Sequence, residues 1–339
     1  MTSNRSTADS TARLAVLILA FCCVGWGFSF PAMQIGAEAV RHTLQLRGVV
    51  ISEVAMRGIF NGWRFTLAGL LSVLLAGNPA RYRRNDWVGG LLVGLSFGVG
   101  MLLQLSGLRY TLPSISSFLT ALTVILAPVA QALILRRTVG SRVWISVALA
   151  TAGMLILCTG DADAAAGRLV VSPPIPYFGQ ILTVVAAIFF TAQILVLDHF
   201  GQSADPVRLT SVMLLTAGVV NLIVGFSTGG DALQRADIVR PLLHTGDFIW
   251  PFLGLALVSS LLTMQLMCAW QPKIAPATAA VVYALEPVFG TIFSIIFHTE
   301  ILVKVTLAGG LVILLAVLIV ARQPVAACAE RQAGYSSTP

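Results

Sequence analysis

Leu285-Glu286-Pro287-Val288 lies inside an apolar stretch running from about residue 275 to 297, and Leu126-Ala127-Pro128-Val129 lies at a matching depth in an earlier one, 114 to 135. A carboxylate and a proline are both costly in such a segment, the first through desolvation and the second through a lost backbone donor. The two prolines stand 159 residues apart. Recurrence of so expensive a pattern implies two related halves. A second pair agrees, since Gln104-Leu105 and Gln265-Leu266 are separated by 161 residues.

The surroundings of these motifs identify the solvent. Of 339 residues 57% are hydrophobic and only 10% charged, with a mean hydropathy of +0.89, far too apolar for a soluble domain. Runs long enough for a bilayer-spanning helix fall near 14–36, 57–76, 87–108, 114–135, 143–159, 177–197, 209–226, 248–270, 275–297 and 301–321. They are twice the length of a barrel strand and do not alternate. The sequence therefore predicts an all-α membrane protein with ten transmembrane helices. Five helices per half is an odd number, so the second half enters the membrane with opposite sense, as two inverted five-helix repeats. The expected organisation is a cytoplasmic tail over 1–13, a first repeat over 14–160, a second over 170–321 and a disordered tail over 322–339.

Basic residues set the orientation. With the N-terminus inside, twelve of the 21 Lys and Arg residues fall on the cytoplasmic side, in dense clusters at 81–84 and 136–142. The other nine, among them Arg41, Arg57 and Arg64, are assigned to the outer side. The net charge of +7 is accounted for by arginines beside an anionic leaflet, and nucleic acid is not expected as a partner. The first span lacks a small-residue cleavage site and continues through Trp26, Phe28 and Pro31, so it is kept as a helix. Cysteines at 22, 23, 158, 268 and 328 give neither a disulfide framework nor a metal spacing.

Helical spacing collects the polar residues. Ala279, Tyr283, Glu286 and Gly290 form one stripe of the ninth span, and Thr120, Val124, Ala127 and Gln131 form the corresponding stripe of the fourth. Two such stripes facing one interior would make a polar lumen. Pro287 and Pro128 would free the carbonyls of Tyr283 and Val124, and both are hinge candidates with Pro31. Glu286 reads as a proton or cation site, as a partner for a substrate amine, or as a hydrogen-bonded glutamate locking helices together. Gln104, Gln193 and Gln265 read as substrate contacts or interhelical hydrogen bonds. The cluster Trp26, Gly27, Phe28, Ser29, Phe30 and Pro31 would line an apolar-walled cavity or simply pack.

Enzyme readings find little support. Gly94-Leu95-Ser96-Phe97-Gly98 matches the GxSxG nucleophile pattern, but the four histidines are expected in connections or at span ends, out of reach. Gly90, Gly94 and Gly98 recur at a helix-packing interval instead. Asp161 and Asp163, expected in a loop, are too few to hold magnesium and a diphosphate.

The chain resembles the drug/metabolite transporter superfamily, in its ten-helix EamA-type branch. The resemblance is carried by Trp26-Gly27 with Ser29-Phe30, Arg64-Phe65, Phe118-Leu119-Thr120 with Pro128, and Leu285-Glu286-Pro287-Val288, over roughly residues 14–321. It implies a helix bundle in the bacterial inner membrane with a central cavity, exporting small metabolites or drugs by alternating access without a cofactor. Trp26 and Glu286 would be cavity-side and Pro287 a hinge. The implied partners are a small-molecule substrate and the lipid bilayer, with a homodimer left open. A lipid-carrier flippase is the alternative within transport. The chain departs from the pattern at the ends of the fourth and ninth helices, Arg136-Arg137 and Thr299-Glu300, and in a long connection over 37–56 expected to form an interfacial helix.

Overall fold

The computed structural model describes residues 2–107, 110, 119–164, 177–297 and 304–322. Among them there is no strand. The helices are α1 (Thr2–Leu46), α2 (Glu53–Ala76), α3 (Arg84–Gly107), α4 (Thr123–Leu133), α5 (Ser141–Ala164), α6 (Phe178–Phe200), α7 (Pro206–Ser227), the short α8 (Ala236–Leu242), α9 (Gly246–Lys273), α10 (Pro276–Ile296) and α11 (Lys304–Ala321). Seven of the described helices are long and apolar enough to cross a membrane. Three shorter apolar helices, Thr123–Leu133, Ser141–Ile156 and Leu307–Ala321, fall on the fourth, fifth and tenth expected spans.

The chain departs from expectation at three places. The segment 37–56 is not a separate interfacial helix: α1 continues to Leu46 and ends at Gly48, whose φ of 63° suits a residue without Cβ. Arg41 then pairs with Glu53 at 3.0 Å and with Glu38, while Arg57 pairs with Glu53 at 3.2 Å. These charges join the end of α1 to the start of α2, which is why they are tolerated among apolar residues. Arg64 is not in an outer connection but inside α2, and 2% exposed. The backbone at Asp161 and Asp163 is helical, because α5 runs to Ala164.

Local signals set the helix ends. Ser52 caps α2 by accepting from the Ala55 amide at 3.0 Å. Asp205 caps α7, accepting from the Val207 and Arg208 amides, with Pro206 in the first turn where its missing donor costs nothing. Buried Asp86 accepts from the Arg83 amide at 2.7 Å and from the Asp205 amide at 2.8 Å, tying the start of α3 to the start of α7.

The packing follows a two-fold rule. α2 lies along α7 and α5 along α11; α3 contacts α6 and α7; α9 contacts α1 and α2; α4 contacts α6, and α10 contacts α1. Exchanging α1–α5 in order for α6, α7, α9, α10 and α11 maps this set of pairs onto itself, with α2–α7 and α5–α11 each returning to themselves. Outside, Leu17, Leu74, Leu91, Ile145, Ile223 and Leu311 are exposed, and Trp87, Trp144 and Trp250 lie near helix starts, the pattern of a lipid-facing band with aromatic edges.

Lipid offers helices no hydrophobic reason to associate, so close backbone approach has to supply the contact. Gly90, Gly94 and Gly98 of α3 face Val212, Met213 and Ala217 of α7, and a Cβ added at Gly98 would lie 3.0 Å from the Ala217 Cα. Ser96 instead donates to the Leu92 carbonyl at 2.9 Å on an exposed face. Gly94→Leu is therefore expected to cost about 1–3 kcal/mol through overpacking, whereas Ser96→Ala should be close to neutral; thermal unfolding of both variants in detergent checks the contrast.

Candidate functional site

Two helices are discontinuous at mid-depth. α10 consists of Pro276–Tyr283 and Glu286–Ile296, joined by a turn at Ala284 and Leu285 whose amides bond three residues back, to Val281 and Val282. The fourth span does the same: a turn at Ala121 and Leu122 precedes Thr123–Leu133, and the Val124 and Ile125 amides again bond three residues back, to Ala121 and Leu122. Pro287 falls in the first turn of the second half-helix, where no donor is needed. Pro128 lies within α4, and Pro31 within an uninterrupted α1.

Both breaks open onto one cavity, with an empty volume of ≈ 970 Å³ that includes its mouth. Seven helical segments line it: α1, α2, α3, the fourth span, α6, α9 and α10. Of the residues singled out in the sequence, Trp26, Ser29, Phe30, Gln104, Thr120, Gln193, Tyr283 and Glu286 line it, together with Pro287. Two do not. Gln131 accepts from the Ala277 amide at 3.1 Å and so supports the start of α10, and Gln265 donates to Ser72 Oγ at 2.7 Å.

The lining side chains hold one another in place. Trp26 Nε1 donates to Thr263 Oγ1 at 2.9 Å, and its ring meets Tyr283 edge-on with centroids 5.1 Å apart. Ser29 donates to the Trp26 carbonyl at 2.6 Å. Gln104 Nε2 donates to Thr120 Oγ1 at 2.9 Å, linking α3 to the broken fourth span. Phe97, Met101, Phe190, Met264 and Met267 supply apolar wall. The Glu286 carboxylate makes no hydrogen bond or ion pair among the described residues.

Toward the end of the bundle holding Arg137 and Lys273 the cavity is bordered by a polar layer. Tyr283 donates to Gln271 Oε1 at 2.8 Å, and Gln271 Nε2 donates to the Ile194 carbonyl at 2.9 Å. Arg136, three residues beyond the end of α4, adopts a left-handed φ of 50°, and the turn delivers Arg137 to Asp198 of α6 at 2.5 Å.

A family model described as the EamA-like transporter family matches residues 13–159 and again 177–322. The chain belongs to the EamA-like transporter family. A protein of Archaeoglobus fulgidus named as an uncharacterized transporter is 27% identical over 314 residues, covering 92% of this chain and 88% of its own length. A protein known from a crystal structure aligns with a TM-score of 0.64 at 13% identity, over 94% of this chain and 99% of that one. That last likeness concerns the fold alone. The family and the archaeal relative both bear transporter names, not enzyme names.

In this EamA-like chain the lining residue that sequence reasoning misplaced is Arg64. Its Nε donates to Ser260 Oγ at 2.7 Å and its Nη2 to Ser259 Oγ at 3.0 Å, both on a π-helical stretch of α9, Gly254–Leu262. The signal was available: an ionisable residue well inside an apolar run marks a pathway by default. Ser259, Met264 and Met267 carried no such mark.

The polar layer generates a prediction. Arg137→Ala removes the ion pair that Arg137 makes with Asp198, whose side chain is 3% exposed. The variant should lose about 1–3 kcal/mol of stability, and Asp198→Asn in the same background should cost little more; a double-mutant cycle by thermal unfolding in nanodiscs measures the coupling.

Proposed function

We propose that the protein is a bacterial inner-membrane carrier that moves a small organic solute, outward, by alternating access, built of ten crossings in two inverted five-helix repeats with the N-terminus in the cytoplasm. One observation carries this reading: a carboxylate with no partner among the described residues, Glu286, stands at a helix break in a cavity walled by aromatic and thioether side chains. Substrate sites of inverted-repeat carriers form at such discontinuous helices near the midplane. The exchange rule in the helix packing supports the two-repeat architecture, and an odd number of crossings per repeat supports the inversion. The arginine clusters support the orientation, and placing Arg64 inside α2 removes one residue from the opposing side.

With that orientation the polar layer of Tyr283, Gln271, Arg137 and Asp198 lies on the cytoplasmic side. The structure then corresponds to a conformation closed inward, and transport requires this layer to part. Glu286 has two roles open to it, a proton or cation site or the partner of a substrate amine, and both depend on its ionisable oxygen.

Glu286→Gln keeps the shape of the side chain and removes the charge. In a solute-efflux screen on expressing cells, with empty vector as reference, efflux by this variant is expected to fall at least about tenfold while membrane insertion is unchanged. Unaltered efflux of a compound that the native chain exports would remove Glu286 from the mechanism.

A further inference from the structure

We propose that Arg64 recognises a carboxylate on the solute that the cavity takes, so that the substrate class is a small organic anion with an apolar body. The proposal rests on reading the cavity as a solute site. Arg64 is 2% exposed, lines the cavity, and has no acidic partner among the described residues. Ser260 and Ser259 hold Nε and Nη2, which fixes one edge of the fork and its plane, whereas Nη1 is buried with no hydrogen-bond partner. A buried cation with a donor to spare is held ready for an anion.

A second observation points to the same ligand charge. Thr123 and Val124 line the cavity at the start of the half-helix Thr123–Leu133, whose eleven residues direct the positive end of their dipole there. The walls then describe the body of the ligand: Trp26, Phe97, Met101 and Phe190 suit an aromatic or aliphatic group. A phosphate dianion fits poorly. Among the described lining residues Arg64 is the one basic side chain, and Glu286, the one acidic side chain, would oppose a second negative charge.

Three probes of one shape isolate the charge: 3-phenylpropionate, its primary amide and 2-phenylethylammonium, titrated by calorimetry against the full chain in lipid nanodiscs. The acid is expected to bind at least about tenfold more tightly than the amide, as a site built for a polar group rejects the analogue lacking it. Arg64→Gln should erase that ratio, and Arg64→Lys, which keeps the charge and loses the fork, should reduce it at least about threefold. Equal binding of acid and amide, stronger binding of the ammonium, or no binding of any probe overturns the proposal. Retention of the acid preference in Arg64→Gln also overturns it; should that variant not fold, an unchanged ratio in Arg64→Lys does the same. Efflux abolished by Glu286→Gln together with no acid preference would keep the carrier and discard the anion site.

Discussion

An ionisable group inside hydrocarbon has to be enclosed by protein or by water, and this chain places two of them, Arg64 and Glu286, on the wall of a single cavity. The rest of the architecture is arranged around that constraint. Seven helical segments converge so that neither group meets lipid, and the cost of convergence is met by thin seams where glycine lets backbones approach. On the α3–α7 seam Gly90, Gly94 and Gly98 do this work, and Gly58, Gly62 and Gly225 do it between α2 and α7. Bulk is kept for the cavity, where the aromatic rings stand.

The two broken helices extend the same logic to the backbone. A helix cannot stop in lipid, because its end groups have no partner there. The breaks at Ala121-Leu122 and Ala284-Leu285 lie where protein surrounds them, and in both the hydrogen bonding tightens to a three-residue reach before the helix resumes. The breaks therefore expose half-helix starts to the cavity without leaving polar groups in the bilayer. Their equivalence in the two halves is the structural counterpart of the recurring proline motif, although the breaks themselves precede the prolines by different intervals.

Much of the fold was legible because bilayer length and apolarity leave a strong mark on sequence, and a costly pattern repeated at depth marks the repeat. The carboxylate, the aromatic cluster of the first span and three of the five glutamine and threonine candidates were legible for the same reason: polar or bulky groups stand out in an apolar run. Arg64 was counted with the outer side although the expected span 57–76 already contains it, and only burial separates it from Arg57 of the same helix. Gln131 and Gln265 were legible as buried polar residues but not in their direction. Spacing along one helix cannot tell that Gln131 turns toward the Ala277 amide, nor that Gln265 turns toward Ser72. The continuation of α1 to Leu46 was hidden by Arg41 and His42, whose charge and polarity resemble a loop until Glu53 is brought alongside.

Tyr283 has one foot in each compartment. Its ring leans on Trp26 inside the solute chamber, and its hydroxyl holds Gln271 in the barrier beneath. On the proposed function, a guest that pushed the ring aside to occupy the space next to the indole would also pull on the barrier, coupling the filling of the chamber to the loosening of its floor.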